Sequence, residues 1–462
     1  MKILDSVLSE FEKISVIPRP SKYESKVAKY LVERLNELGV KAEIDEVGNV
    51  IGEVAASKDF ENKPVVILQA HMDMVCVSDS SKNFDPLTDG IEIIREGEYL
   101  KAKGTSLGAD DGIGIAIILH ILANHSKHSR LRVIFTVDEE TGMSGARGLN
   151  KKCLDADYLI NIDSENVDEL VVGSAGSMRI ELKQTIDFVK PAMKNAFEVK
   201  ISGLKGGHSG EAIGINHANA IKVLGEILSK LDCEIASVEG GRAMNVIPSE
   251  ASAYMLVDTQ NFNEISEKFL STIRKQYDET NAQIEFKSVD KTEQVFSRSN
   301  FESFLKVISE LEDGLHDSET SANIGVLKVE DSTVKIEYMP RFHSDHGREF
   351  MSEVAKSAAK VSNYEINFGE TSPAWKSEKF DLAEKMIEIA SQQGRQIKQR
   401  VIHGGLECSY FSAKNPNLEI VSIGTTNLDI HSPKERLLLS SVEPTVNLVM
   451  ETLNFIAGVE NE

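Results

Sequence analysis

Apolar positions at the start of the chain recur at helical spacing: Leu4, Val7, Leu8, Phe11 and Ile14 would share one face of a first helix. The Pro18-Arg19-Pro20 run breaks it. Ser21 and Glu24 then match an S-x-x-E capping box, which predicts a second helix ending at Gly39. Beyond it the period changes. KAEIDE (41–46), VIGEVA (50–55), VVILQA (65–70), LRVIFTV (131–137) and YLINI (158–162) read as short strands, several of them continuously apolar. Between them GIGIAIILHILANH (112–125) predicts a helix apolar nearly all round, hence buried. Buried strands alternating with helices imply an α/β domain with a mostly parallel sheet flanked by helices.

After about residue 175 the strands become more alternating: FEVKISG (197–203), ASAYMLVD (251–258), QIEFKSV (283–289) and STVKIEYM (332–339). Charged helices separate them, NEISEKFLSTIRKQYDE (263–279) and SFLKVISELEDG (303–314), and the strand-helix-strand order occurs twice. From about 374 the segment WKSEKFDLAEKMIEIASQQG reads as an amphipathic helix again, followed by the strand EIVSIG (419–424). The expected layout is discontinuous. Residues 1–175 and 374–462 form one α/β domain, and 176–373 form an inserted α+β domain.

Composition narrows the function classes. The 462 residues carry a formal charge of −22, so neither nucleic acid nor an acidic membrane surface finds the general basic footprint it needs. No apolar run approaches the ~18 residues that span a bilayer, and acids interrupt the N-terminal apolar residues, unlike a signal peptide. Four cysteines are too few and scattered for a disulfide scaffold, which points to a reduced, cytoplasmic protein.

The candidate chemistry lies at strand ends. His71 and Asp73 follow VVILQA, Glu139 and Glu140 follow LRVIFTV, Asp163 follows YLINI, His431 lies a short loop after EIVSIG, and Asp110-Asp111 opens the apolar helix. In open α/β sheets the carboxyl ends of strands are where sites form. Two imidazoles with several carboxylates make a ligand set suited to Zn, with Mn or Co as alternatives. Each motif alone has a plainer reading: H-x-D as a hydrogen-bonded surface pair, Glu139-Glu140 as charge favourable to a helix N-terminus, Asp110-Asp111 as a cap. The joint pattern of acidic and histidine residues at five such positions is what points to metal. GIGIA lacks the third glycine and follows no strand, and no P-loop occurs, so nucleotide-binding fingerprints are absent.

HMDMV (71–75), GADDG (108–112), DEETG (138–142), IDSE (162–165), GLKGGHSG (203–210) and HSPKERL (431–437) together resemble the signatures of the dinuclear metallopeptidases related to carnosinases and aminoacylases. GTSLGADDGIG, GLKGGHSG, HGGLEC (403–408) and PRPSKYE (18–24) most resemble the bacterial Xaa-His dipeptidases of that group. The resemblance implies two divalent metals bridged by Asp110. His71 and Asp163 would complete one site, Glu140 and His431 the other. Asp73 would orient His71 by accepting its second imidazole N–H, and Glu139 would be the general base on the metal-bridging water. His208 would stabilise the oxyanion from the inserted lid domain, although a loop histidine between turn glycines is the plainer reading. Asn245 would contact substrate. Arg341 would clamp the substrate carboxylate or lie solvated at the surface, and Glu407 would hold the free α-amino group. The implied substrate is a small unblocked peptide, and a homodimer through the lid is expected. The alternatives are a tripeptidase, an N-acyl amino acid amidohydrolase, or an inactive metal-binding relative. Two departures, Ser409 where the family has Gly and TTNLDI at 425–430, touch substrate preference only. Cys408 has no partner base at motif spacing and reads as a packing residue.

Overall fold

The computed structural model describes residues 2–79, 83–210, 212–215, 217–258 and 262–459. The chain divides into two compact units. Unit 1 comprises residues 1–173, 375–401 and 407–462, and unit 2 comprises 174–374 with 402–406. The short segment 402–406, which the sequence boundary at 374 left with the first domain, groups with the second.

Unit 1 is an α/β layer structure. Helices α1 (Ile3–Ser15) and α2 (Ser25–Glu37) lead into strands β1 (Lys41–Ile44), β2 (Val50–Val54) and β3 (Val66–His71). Helix α3 (Ala109–Asn124), β4 (Leu131–Thr136), the single turn α4 (Glu139–Gly142), β5 (Tyr158–Ser164) and β6 (Glu169–Ser174) follow, and the C-terminal segment adds β7 (Trp375–Lys376) and β8 (Glu419–Gly424). The sheet order is β1-β2-β4-β3-β5-β8-β6-β7. Its centre, β4-β3-β5-β8, is parallel, and the flanks are antiparallel. Every residue of β3, β4 and β8 is buried, as continuous apolar runs covered on both faces require. Helix α3 lies across β3 and β5 and also packs on α1. Contacts on all sides account for its lack of a polar face.

Three local expectations change. The capping box does not form. The Ser21 hydroxyl instead donates to Asp73 Oδ2 at 2.7 Å, and Glu24 Oε1 accepts from Lys22 N–H and Asp138 N–H at 2.8 and 2.9 Å. The helix expected from 374 begins only at Asp381, because Trp375–Lys376 pairs into the sheet. Glu139 and Glu140 sit in a helical turn and not at a strand end, since Asp138 takes a left-handed conformation with φ 59°.

Unit 2 is an antiparallel sheet covered by helices. Its strands run, side by side, Gln283–Ser288, Asn195–Ser202, Ala251–Val257, Glu234–Gly240, Thr320–Glu330, Thr333–Phe342, Gly176–Thr185 and Glu365–Ser372. Met178, Ile180 and Leu182 alternate with more exposed neighbours, so one face is buried. The helices Ala220–Ser229, Arg298–Glu310 and Asp345–Val361 supply its core partners Ile221, Leu224, Phe304, Val307, Met351 and Ala355.

Candidate metal centre

Five side chains of unit 1 converge into two donor groups that share one residue. His71, Asp110 and Asp163 form the first, Asp110, Glu140 and His431 the second, and the donor atoms within each group lie within 4.8 Å of one another. Asp110 divides its oxygens: Oδ1 is 2.9 Å from His71 Nε2 and Oδ2 is 3.1 Å from His431 Nε2. Asp163 Oδ1 lies 3.4 Å from His71 Nε2, and Glu140 Oε2 lies 2.8 Å from His431 Nε2.

The placement follows from the sheet. His71 ends β3 and Asp163 lies near the end of β5, adjacent parallel strands paired in register, so both donors emerge at the carboxyl edge. Asp110 and Asp111 open α3 with non-helical backbone angles, joined by a cis peptide bond. Their carboxylates do different work. Asp111 turns inward, its Oδ2 accepting from His71 N–H at 3.1 Å and its Oδ1 from Gly114 N–H at 3.2 Å. Asp110 keeps both oxygens for the imidazoles.

The expected hydrogen bond from His71 Nδ1 to Asp73 is not formed: Asp73 Oδ1 stands 3.4 Å away, and Nδ1 has no hydrogen-bond partner among the described residues. The Asp73 carboxylate accepts instead from Glu139 N–H at 3.0 Å and Glu140 N–H at 3.2 Å. It therefore caps α4 as well as facing the ligand. Asp138, in the bend before α4, is held by Ser144 Oγ–H at 2.6 Å and by the Thr141 hydroxyl.

The charges are unbalanced without cations. Burial drives the Glu139 carboxyl well above its ordinary range; His71 opposes this, while Glu140, Asp163 and Glu407 add to it. Burial also raises Asp163 and Glu140. Asp110 would be raised by burial too, but the His431 and His71 hydrogen bonds hold it low. Burial disfavours charge on His431, yet Asp110 and Glu140 push it up to about 11. His71 is likewise raised well above its usual value against its burial. Among the described residues, the ion pairs that reach these donors come from the His71 and His431 imidazoles. Two nitrogens and three carboxylates around a demand for positive charge form a donor set that fits divalent cations.

A polar layer lies one step below the donors. Gln69 and Asn161 precede His71 and Asp163 by two residues, so strand alternation places each on its ligand's face. Gln69 Oε1 accepts from Asn161 Nδ2 at 2.6 Å, and Gln69 Nε2 donates to Glu407 Oε2 at 2.7 Å. Thr136 Oγ1 donates to the same oxygen at 2.6 Å. Glu407 is fully buried, and its Oε1 has no hydrogen-bond partner among the described residues. Burial lifts its carboxyl to about 8, with Thr136 opposing. Just before the helix Cys408–Lys414, the Glu407 side chain thus lies in this buried layer beneath the donors. Cys408 beside it is fully buried. A polar residue inside an apolar strand, as Gln69 in VVILQA or Asn161 in YLINI, was the visible signal for this layer.

The remaining expected residues lie in unit 2. Gly207–His208 pairs antiparallel with Val246–Ile247 as a short two-stranded ladder, entered through Gly206 and Gly207 at positive φ. Asn245 is exposed, and its carbonyl accepts from Ser209 N–H at 2.8 Å. Arg341 is buried, not solvated, with Nη1 donating to His403 O at 3.3 Å and Nη2 to Ser209 Oγ at 3.5 Å. His208, Asn245 and Arg341 thus meet around Ser209.

Residues 67–454 match the peptidase family M20/M25/M40. The chain belongs to that family. Among M20 relatives, it is 32% identical to the cytosol non-specific dipeptidase of Escherichia coli (strain K12), with 96% of each chain covered. It superposes on the aminoacylhistidine dipeptidase of Vibrio alginolyticus with a TM-score of 0.79 and 33% identity, covering 97% of this chain and 96% of that one. The aminopeptidase PepT of Bacillus cereus shares the fold, with a TM-score of 0.58 at 18% identity over 98% of this chain and 99% of the other. The mixed α/β architecture is that of the M20 dipeptidase fold.

Proposed function

We propose that this M20 peptidase is a metal-dependent dipeptidase that hydrolyses unblocked dipeptides, of the aminoacyl-histidine type and more broadly. The observation that carries the reading is the pair of donor groups sharing Asp110, with Glu139 beside them in the turn capped by Asp73. The similarity to a cytosol non-specific dipeptidase and an aminoacylhistidine dipeptidase over nearly the whole chain supports the substrate class.

His71, Asp110 and Asp163 would hold one cation, Asp110, Glu140 and His431 a second, with Zn first in preference and Mn or Co next. When bound, such ions polarise a carbonyl and make water nucleophilic near neutral pH. Glu139 takes the proton of the attacking water on its carboxylate and gives it to the leaving amide nitrogen. His208 donates to the oxyanion, Arg341 pairs with the substrate carboxylate and Asn245 contacts the substrate. The protein acts in the cytoplasm, as a homodimer through unit 2. Among the described residues no helix is long and apolar enough to cross a membrane.

The test is amino-acid release from alanyl-histidine, N-acetyl-alanyl-histidine and a related tripeptide, with protein reloaded with Zn or Mn after chelation. Metal-dependent cleavage of the free dipeptide alone supports the proposal. Cleavage of the acetylated compound or the tripeptide makes it an amidohydrolase or tripeptidase, and no turnover with any metal leaves a metal-binding relative.

A further inference from the structure

We propose that Arg19 and Glu435 are positioning residues that clamp the 107–110 segment from its two sides and thereby set the spacing of the two donor groups. The inference rests on the metal-centre reading above. Arg19 is 1% exposed and Glu435 is 2% exposed, a cation and an anion withdrawn from water. Such burial is costly unless the groups are well satisfied. Backbone groups of the donor-bearing segments satisfy both Glu435 oxygens and both terminal nitrogens of Arg19, whose Nε has no hydrogen-bond partner among the described residues. Glu435 Oε2 accepts from Leu107 N–H at 2.7 Å and Gly108 N–H at 3.0 Å, and Oε1 from Ala109 N–H at 2.8 Å and Asp110 N–H at 3.4 Å. One carboxylate thus gathers four successive amides ending at the shared ligand.

Arg19 takes the opposite polarity. Its Nη2 donates to Gly108 O, and its Nη1 donates to Met72 O at 2.9 Å and Asp73 O at 2.8 Å. The guanidinium therefore joins the segment after His71 to the segment before Asp110. Glu435 lies four residues beyond His431 and joins that loop to the same segment. Small residues make the room: a Cβ on Gly108 would stand 2.7 Å from Arg19 Nη2, and one on Gly112 2.5 Å. Three segments far apart in sequence, 71–73, 107–110 and 431–435, are bound into one frame by two side chains that are not donors themselves. Groups behind metal ligands commonly change metal affinity 10–100-fold when removed.

The experiment is a titration of chelator-stripped protein with Mn²⁺ or Zn²⁺ alone, for wild type, Glu435→Ala and Glu435→Gln, with thermal unfolding of each metal-free protein. Kinetics on alanyl-histidine accompany it. Wild type is expected to bind two equivalents. Glu435→Ala should lose 10–100-fold in affinity for at least one of them, with kcat falling far more than KM changes. Glu435→Gln, which keeps one acceptor oxygen, should recover part of both. If Glu435→Ala does not fold, the Gln variant decides alone. A folded Glu435→Gln with wild-type affinities and kcat overturns the clamp, while a wild type that binds no metal overturns the metal centre itself.

Discussion

Asp73 receives the backbone N–H of Glu139 at 3.0 Å while its carboxylate also faces the His71 ring. The ligand on β3 and the proposed base after β4 are thereby referred to one side chain. Asp73→Asn keeps one acceptor oxygen but must give up either the Glu139 or the Glu140 amide. It should lower kcat and metal affinity by roughly 10–100-fold, read by steady-state kinetics and metal titration; wild-type values in both would remove Asp73 from this role.

Replacing Glu139 by Gln preserves shape and removes the proton acceptor. Turnover should fall by about 10²–10⁴-fold with metal content unchanged. Loss of metal along with activity would instead make Glu139 a ligand.

His71 and Asp163 were legible because each is a chemically conspicuous residue at the end of an apolar run, so VVILQA-H and YLINI-D mark strand and candidate site together, whereas Asp110 opens an apolar helix and Glu140 and His431 lie in a turn and a loop beyond their strands. Unit 2 was less so. Arg341 reads as ambiguous in sequence, since only the pairing of its strand with neighbours buries it. The burial of Glu407 was not legible either: its partners Gln69 and Thr136 lie on strands far away in sequence. Arg19 and Glu435 carry no periodic signal at all, because their partners are backbone groups of distant segments.

Thr136→Val deletes a donor to Glu407 Oε2 at constant volume. Because that carboxylate is fully buried and already has one unpartnered oxygen, the change should destabilise unit 1 by about 1–3 kcal/mol. Denaturant unfolding measures it. An unchanged midpoint would mean the layer beneath the site is not under strain for partners.

A pH effect is expected from unit 2. Asp313 accepts from Asn219 Nδ2 at 2.7 Å and Ile324 N–H at 3.1 Å. Burial nonetheless raises its carboxyl from an ordinary 3.8 to about 6, against the Ile324 hydrogen bond and Lys222. The folded state holds this proton more tightly than the unfolded chain. Its contribution is therefore fully present below about pH 4 and is lost as pH rises through about 6. Two pKa units correspond to about 3 kcal/mol. Asp313→Asn should flatten the stability of unit 2 between those limits, which unfolding at pH 4, 5, 6 and 7 would test; an undiminished slope assigns the effect to another group.

Strands β5 and β6 are joined by a short turn, yet β8 lies between them in the sheet. A polypeptide emerging from the ribosome therefore presents β5 paired on one side only, with β3, until residues 419–424 appear, and His431 and Glu435 appear later still. The earliest intermediate that has every donor is one in which residue 431 is already synthesised. The proposed metal centre would therefore assemble only after His431 and Glu435 have been added to the growing chain.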